Sequence, residues 1–328
     1  MSTAPSQRCS VLAAEAGEPL DGTAPRARAW LVLEQPGPYG FRALTESHLP
    51  PRVRAALGSL PTDVGTTVLL ARPLGRHADL GAVATRRRFW FAHVSPGGVR
   101  MRSGEIEDAD LLRADLADRL AAAAAGELPP WGRRSGEPLL LVCTNGRRDV
   151  CCALEGRPLA DAIAADPAYA DRVLEVSHLG GHRFAPNALL LPTGHAFGRL
   201  TPQAARDVLD AVADGALGAL EHHRGRTSLA QPAQAAESAV RRAQGVTGLD
   251  DLDALRRVDG RPVPAGLRWL GGEDGVADVE VRHRDGRAWR VEVVRTSLPE
   301  PKPESCGKRA VEAHVWTAGV PVELPAWR

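Results

Sequence analysis

LLLVCTNGRRDVCC, residues 139–152, and SHLGGHRFAPN, residues 177–187, together decide how this chain is read. Leu139–Val142 is an unbroken apolar run, a buried strand that ends at Cys143. Ala153–Ala165 reads as a helix, and Val173–Val176 as the next strand, ending just before His178. Parallel neighbouring strands would bring Cys143 and His178 to one sheet edge, at the carboxyl ends where α/β sheets place their chemistry. Thiols at 143, 151 and 152 and imidazoles at 178 and 182 form a soft donor set, suited to zinc or iron–sulfur rather than magnesium or calcium. Gly180 and Gly181 argue against a helix between the histidines, because they let the backbone wrap at positive φ. The H-x3-H spacing lies within the zinc-finger range, whereas the spacing from Cys143 to Cys152 exceeds it, so spacing alone leaves zinc and iron–sulfur both open.

Working outward, Ala188–Leu191 and Ala196–Leu200 read as a hairpin across Pro192-Thr193-Gly194. Thr201 with Pro202 then opens a helix expected to run to about His222. The resulting order, β-α-β-β-β-α, is that of a thioredoxin-like core. The preceding segment repeats it. Trp30–Glu34 and Thr67–Ala71 are strands flanking a short helix at Pro51–Leu60. Phe89–His93 and Val99–Ser103 form a hairpin across Pro96-Gly97-Gly98, and Asp110–Ala125 is a helix with Leu112, Leu116 and Leu120 on one face. Residues 27–126 thus read as a second thioredoxin-like unit that contains no cysteine and packs on the first as a metal-free copy. The expected division is 1–126 for this unit, 127–137 for a linker, 138–226 for the metal-binding domain and 227–328 for a small α+β domain. In the last, Ala230–Gln244 is a helix and Val276–Arg295 a hairpin on a two-residue Asp285-Gly286 turn. Pro299–Pro303 is a stiff loop and Val311–Thr317 a final strand.

The run from Cys143 to Cys152, then SHLGGHRFAPN and the strand ALLLP, resembles the sucrase/ferredoxin-like family, proteins with a thioredoxin-like ferredoxin domain. The resemblance extends over residues 8–225, including GTAP at 22–25, and is most specific across 143–187. It implies a [2Fe–2S] cluster held by Cys143, Cys152, His178 and His182. Asn145 stands where members often carry a histidine, a position outside the ligand set. Nothing in the chain supports the word sucrase, since no carboxylate pair suited to glycoside hydrolysis is found. Two neutral imidazoles in place of thiolates make the cluster less anionic and raise its potential, as in Rieske centres. A bound histidine also keeps an ionisable second nitrogen, so electron uptake can draw in a proton. These properties suit an electron carrier served by redox partner proteins better than an enzyme with its own substrate.

Two other functions compete. One is thiol–disulfide chemistry by Cys143 with Cys151 or Cys152, against which stands the lack of a Cys-x-x-Cys pair. The other is a structural zinc module. Cys151 is read as a buried thiol in the first helical turn, and Cys9 and Cys306 as thiols far from the motif in sequence, although Ser305-Cys306-Gly307-Lys308 after a proline-rich loop could approach the site. His195, near a hairpin turn, is expected to be exposed. Arg147, Arg148, Asp149, Arg183 and Ser177 are candidates for supporting the ligands.

With 328 residues the chain can bury more than one core. A net charge of +1 gives no electrostatic reason to bind nucleic acid or an anionic membrane. No apolar run is long enough to span a bilayer, and no signal peptide is legible. An odd count of 5 cysteines without framework spacing points to a reducing, cytoplasmic setting. The arginine-, alanine- and glycine-rich composition, with lysine only at 302 and 308, points to a high-GC bacterial genome.

Overall fold

The computed structural model describes residues 8–61, 65–74, 85–95, 100–264, 266, 269, 271–272 and 274–326. The Pro96-Gly97-Gly98 turn and Val99 of the expected hairpin lie outside the described residues. The chain is a mixed α/β protein with two sheets. It packs as two compact units. One comprises Ala27–Leu179 and Ala188–Gly194; the other comprises the chain up to Arg26, Gly180–Asn187 and everything from His195 on. This partition is not collinear with the chain, unlike the expected division at 126, 137 and 226.

In chain order, α1 (Cys9–Glu15) belongs to the second unit. The first unit follows with β1 (Ala29–Glu34), α2 (Ala43–Glu46), α3 (Pro51–Gly58), β2 (Thr66–Arg72), β3 (Arg86–His93) and β4 (Arg100–Glu107). It continues with α4 (Asp108–Leu111), α5 (Leu116–Ala124), β5 (Arg133–Arg134), β6 (Leu139–Cys143), α6 (Val150–Ala164), α7 (Pro167–Ala170), β7 (Val173–Val176) and β8 (Ala188–Leu191).

Its strands lie in the order β8-β6-β7-β2-β1-β3-β4-β5. β6 runs parallel to β7 and antiparallel to β8, while β1 runs parallel to β2 and antiparallel to β3. The same local order therefore occurs twice. The two halves meet where β2 pairs antiparallel with β7, through Ala71↔Val176 and Arg72↔Glu175. Leu31, Leu33, Phe89, Phe91, Leu116 and Leu120 are among the side chains filling the core of the β1–β4 half. They alternate along the strands and recur at helical spacing on α5, so each element buries one face.

Three expectations for this unit change. The helix expected over Asp110–Ala125 is broken between α4 and α5, and Asp115 at the break binds Arg113 and Arg119. Residues 126–137 are more than a linker, because β5 extends the sheet edge and Trp131 stacks on Phe91 at 5.9 Å. Aromatic burial fixes this segment where its Pro and Gly content suggested a plain connection. α6 begins at Val150, ahead of the expected Ala153, because Asp149 caps it by accepting from the Cys151 N–H at 2.9 Å.

The second unit contains β9 (His195–Phe197), α8 (Pro202–Ala211), β10 (His223–Arg226), α9 (Gln231–Gln244), β11 (Leu252–Val258), β12 (Arg261–Pro264), β13 (Val276–His283), β14 (Ala288–Ser297), β15 (His314–Ala318) and β16 (Val322–Leu324). α8 has the expected Thr201 cap and Pro202 start but stops at Ala211. A 3₁₀ turn at Val212–Asp214 then leads into Gly215 at φ 70°, a left-handed residue that ends the helix well before His222. The second sheet runs β12-β11-β13-β14-β15, with β16 also on β14. α9 covers it, burying Ala233, Ala236 and Val240 against Val279, Val291 and Trp316. The β13–β14 turn is one residue longer than the dipeptide signal implies. The His283 N–H donates to the Arg287 carbonyl at 2.8 Å, leaving Arg284-Asp285-Gly286 as the loop with Gly286 at φ 100°. The strand expected over Val311–Thr317 starts at His314 as β15 and is followed by β16, while Val311 instead bridges to Lys302.

Candidate metal centre

Cys143 is the last residue of β6, paired with Val176 of the parallel strand β7. The chain leaves β7 through Ser177 into His178, so thiol and imidazole emerge from adjacent carboxyl ends. Cys152 stands at the third position of α6. α6 is held tightly against β6 by Gly156, where a Cβ would lie 2.3 Å from the Cys143 carbonyl oxygen. Only glycine allows that approach.

Cys143, Cys151 and Cys152 are all buried. The Cys143 thiol lies well below the ordinary cysteine range. A hydrogen bond from Cys152 is the largest cause; burial opposes it, and His178 and the Leu179 N–H add to it. Cys152 is raised in turn, because it gives its proton to that bond and is buried. The two shifts run in opposite directions because Cys152 donates to Cys143. Cys143 Sγ also approaches the Ser177 carbonyl at 3.9 Å. A group that binds sulfur beside imidazole fits this set, in which the thiols are buried, His178 is half-buried and the Cys143 thiol is lowered by its hydrogen bonds.

Behind Cys143 is a buried network that the sequence did not reveal. Glu175 Oε2 accepts from Arg72 Nε at 2.9 Å, from Arg72 NH2 at 2.5 Å and from the Thr144 hydroxyl at 2.6 Å. The Tyr39 hydroxyl donates to the Glu175 carbonyl at 2.9 Å, and Arg72 lies over its ring at 4.6 Å. Burial holds the Tyr39 phenol well above its usual range, so it remains a donor. The only sequence signal available was a charged residue in each of two apolar strands, Arg72 at the end of β2 and Glu175 within β7, which register places face to face.

The 144–149 loop is shaped by Asn145. Its side-chain oxygen accepts from the Arg147 and Arg148 N–H groups at 3.2 Å each, and its amide donates to the Gly40 carbonyl at 3.1 Å. Arg148 stacks over Phe41 at 4.4 Å. Asp149 serves as the helix cap described above, so these residues build the loop.

Cys143, Cys152 and His178 are thus brought together within the first unit. His182 belongs to the second, buried at the start of a 3₁₀ turn, His182–Phe184, that follows Gly181 at φ 72°. The loop bearing it is tied down by Arg224, which donates to the Gly180 carbonyl at 3.3 Å, to Asn187 Oδ1 at 3.0 Å, and to Thr23. Asn187 donates to the Gly181 carbonyl at 2.8 Å. Arg224 fills the space beside Gly181, where a Cβ would lie 2.3 Å from its NH2 atom. Arg183 pairs with Glu18 at 2.8 Å.

Residues 22–225, which take in Thr23, the thiols, the histidine loop and Arg224, match the family model described as sucrase/ferredoxin-like. The chain belongs to the sucrase/ferredoxin-like family. Among relatives of this sucrase/ferredoxin-like chain is altered inheritance of mitochondria protein 32 of Eremothecium gossypii, 39% identical over 71 residues. That stretch is 20% of this chain and 21% of the relative, so the chain spans about a fifth of the relative's length. No solved structure matches the chain.

His195 corrects an expectation. It is fully buried on β9 rather than exposed. Its Nδ1 lies 3.0 Å from His223 Nε2, its Nε2 lies 3.3 Å from the Leu249 carbonyl, and His223 Nδ1 lies 3.3 Å from the Ser238 hydroxyl. One tautomer chain satisfies all three contacts: Ser238 donates to His223, His223 to His195, and His195 to Leu249. Both rings are then neutral. Burial pushes His223 down to about 3 and His195 well below its ordinary value, with Arg226 next in importance for His195. A short hairpin turn concealed this, because its neighbours, His223 and the Leu249 carbonyl, are distant in sequence.

No helix among the described residues is long and apolar enough to cross a membrane.

Proposed function

We propose that this chain is an electron carrier holding a [2Fe–2S] cluster on Cys143, Cys152, His178 and His182, within a thioredoxin-like domain. The convergence of two buried thiols and one imidazole at the ends of parallel β6 and β7 carries the reading. His182 and the cluster type rest on the resemblance of the motif to the family. Such a group, when bound, supplies one reversible electron at a potential raised by its imidazole ligands. The protein's part is to bind and orient. Gly156 lets α6 approach Cys143, Asn145 and Asp149 shape the connecting loop, and Arg224 fixes the backbone around Gly180 and Gly181. The second ring nitrogen of a bound histidine is where a proton would be held as charge is added.

The division at 126, 137 and 226 stands with this proposal, as do a cytoplasmic setting and redox proteins as partners. The overall charge of +1 favours neither nucleic acid nor an anionic membrane as a partner. Anaerobic purification tests the reading through colour, iron and acid-labile sulfide. Iron and sulfide in equal amounts, with a red-brown spectrum, support it; a colourless, zinc-loaded protein overturns it.

The hydrogen bond between Cys143 and Cys152, with Cys143 as the favoured thiolate, supports a second reading as a thiol–disulfide pair. That reading requires a metal-free protein whose two thiols are lost together on mild oxidation.

A further inference from the structure

Cys9 and Cys306 are 297 positions apart in sequence, yet the Cys306 thiol donates to Cys9 Sγ at 3.6 Å. The Cys9 N–H also donates to Cys306 Sγ at 3.4 Å, which holds that sulfur over the start of α1. Cys306 sits in a loop closed by reciprocal hydrogen bonds between Lys302 and Val311, 3.1 Å each. A second contact holds the loop from the same side, since buried Lys302 Nζ lies 2.5 Å from Glu18 Oε2. The other oxygen of Glu18, a fully buried residue, takes Arg183. The loop thus rests on the amino-terminal segment at two points, one ionic and one thiol to thiol. Cys9 is fully buried and Cys306 only partly so.

We propose that Cys9 and Cys306 are a thiol–disulfide exchange site whose oxidation by a low-molecular-weight disulfide locks the 302–311 loop onto α1. Cys306, the more accessible sulfur, loses its proton and attacks one sulfur of the small disulfide, releasing one small thiol and forming a mixed disulfide. Cys9 then gives up its proton and attacks the Cys306 sulfur, releasing the second small thiol. Two protein thiols and one small disulfide become one protein disulfide and two small thiols, so electrons and protons balance. The exchange reverses when small thiols are in excess. A disulfide needs its sulfurs about 2.05 Å apart, so closure requires an approach of about 1.5 Å from the observed contact. Side-chain rotation provides most of it, and Gly307 at φ 74° beside Cys306 allows the loop to follow. The crosslink would close almost the whole chain into one covalent loop, restricting the unfolded ensemble. The exchange itself does not require the proposed cluster.

The test uses the full chain, reduced and then equilibrated with oxidised glutathione, alkylated and mapped by mass spectrometry. The expected product has lost two hydrogens and yields one crosslinked peptide pair containing Cys9 and Cys306. It forms equally in Cys143→Ser, is reversed by excess reduced glutathione, and is absent from Cys306→Ser. Protection of both residues from alkylation after denaturation provides an independent reading in the unsubstituted protein should a variant fold poorly. Three results overturn the proposal: both cysteines still alkylate after oxidation, glutathione stays attached to Cys306 unresolved, or a metal held by these two thiols blocks exchange until a chelator removes it.

Discussion

The two halves of the first unit's sheet share a strand order but differ in what stands at equivalent places. The antiparallel contact of β2 with β7 is centred between Ala71↔Val176 and Arg72↔Glu175, so it relates Arg72 to Val176. Through their parallel neighbours it relates Gln35 to Cys143, and two residues past each strand it relates Leu74 to His178. Counting from the helix starts, Val53 of α3 stands where α6 has Cys152, and Leu57 where α6 has Gly156. The backbone framework is thus indifferent to the chemistry. The donors, and the glycine that lets a helix close on a strand end, are the local additions that make one half a candidate site. The other half provides support instead, through Tyr39, the Gly40 carbonyl, Phe41 and Arg72.

The largest effect is expected from erasing the difference. Cys143→Gln, which installs the residue found at Gln35, and Cys152→Ser should each remove essentially all iron and sulfide, whereas Cys151→Ser should leave both. Retention of metal in Cys152→Ser with loss in Cys151→Ser would transfer the ligand role to the neighbouring thiol. Next is the junction between the halves. Arg72→Met leaves Glu175 buried without its cation, a loss of about 3–5 kcal/mol by denaturant titration. A cost near zero would mean that water reaches the carboxylate.

Gly156→Ala and Leu57→Ala probe equivalent helix positions for opposite reasons. The first forces α6 off the Cys143 carbonyl and should cost about 1–3 kcal/mol together with metal loss. The second opens a cavity of comparable or larger cost, about 2–5 kcal/mol, with metal content unchanged. Equal metal loss in both would mean that the site senses global stability rather than helix approach. In the metal-free protein, thiolate absorbance should persist below the ordinary cysteine range, because Cys143 is stabilised by donation from Cys152. Cys152→Ala removes that donation and should shift the titration upward. Smallest is Phe41→Ala, which removes an exposed cation–π contact with Arg148 and should cost about 0.5–1 kcal/mol.

Strands and the metal motif were legible because their signals are local. The apolar runs Leu139–Val142 and Val173–Val176, each with a donor at or just past its end, need no knowledge of the rest of the chain. The Thr201-Pro202 helix start was equally plain. Where helices end was less so: Gly215 and the Asp115 break act through backbone conformation and side-chain pairing, which apolar periodicity does not record. The Asp285-Gly286 signal located a hairpin but not its length, since the loop size depends on which residues pair across the strands.

By itself the sequence determined the donor types, their places at strand ends, the family, and a stretch over residues 27–126 without thiols. Only the tertiary structure decided what surrounds them. Arg72 faces Glu175 because two strands distant in sequence pair in one register; Cys306 reaches Cys9 because a loop folds back onto α1; and His195 is buried where His223 and the Leu249 carbonyl meet it. These contacts join residues far apart in the chain, and such neighbours follow from which surfaces pack together, information that no local pattern of residues contains.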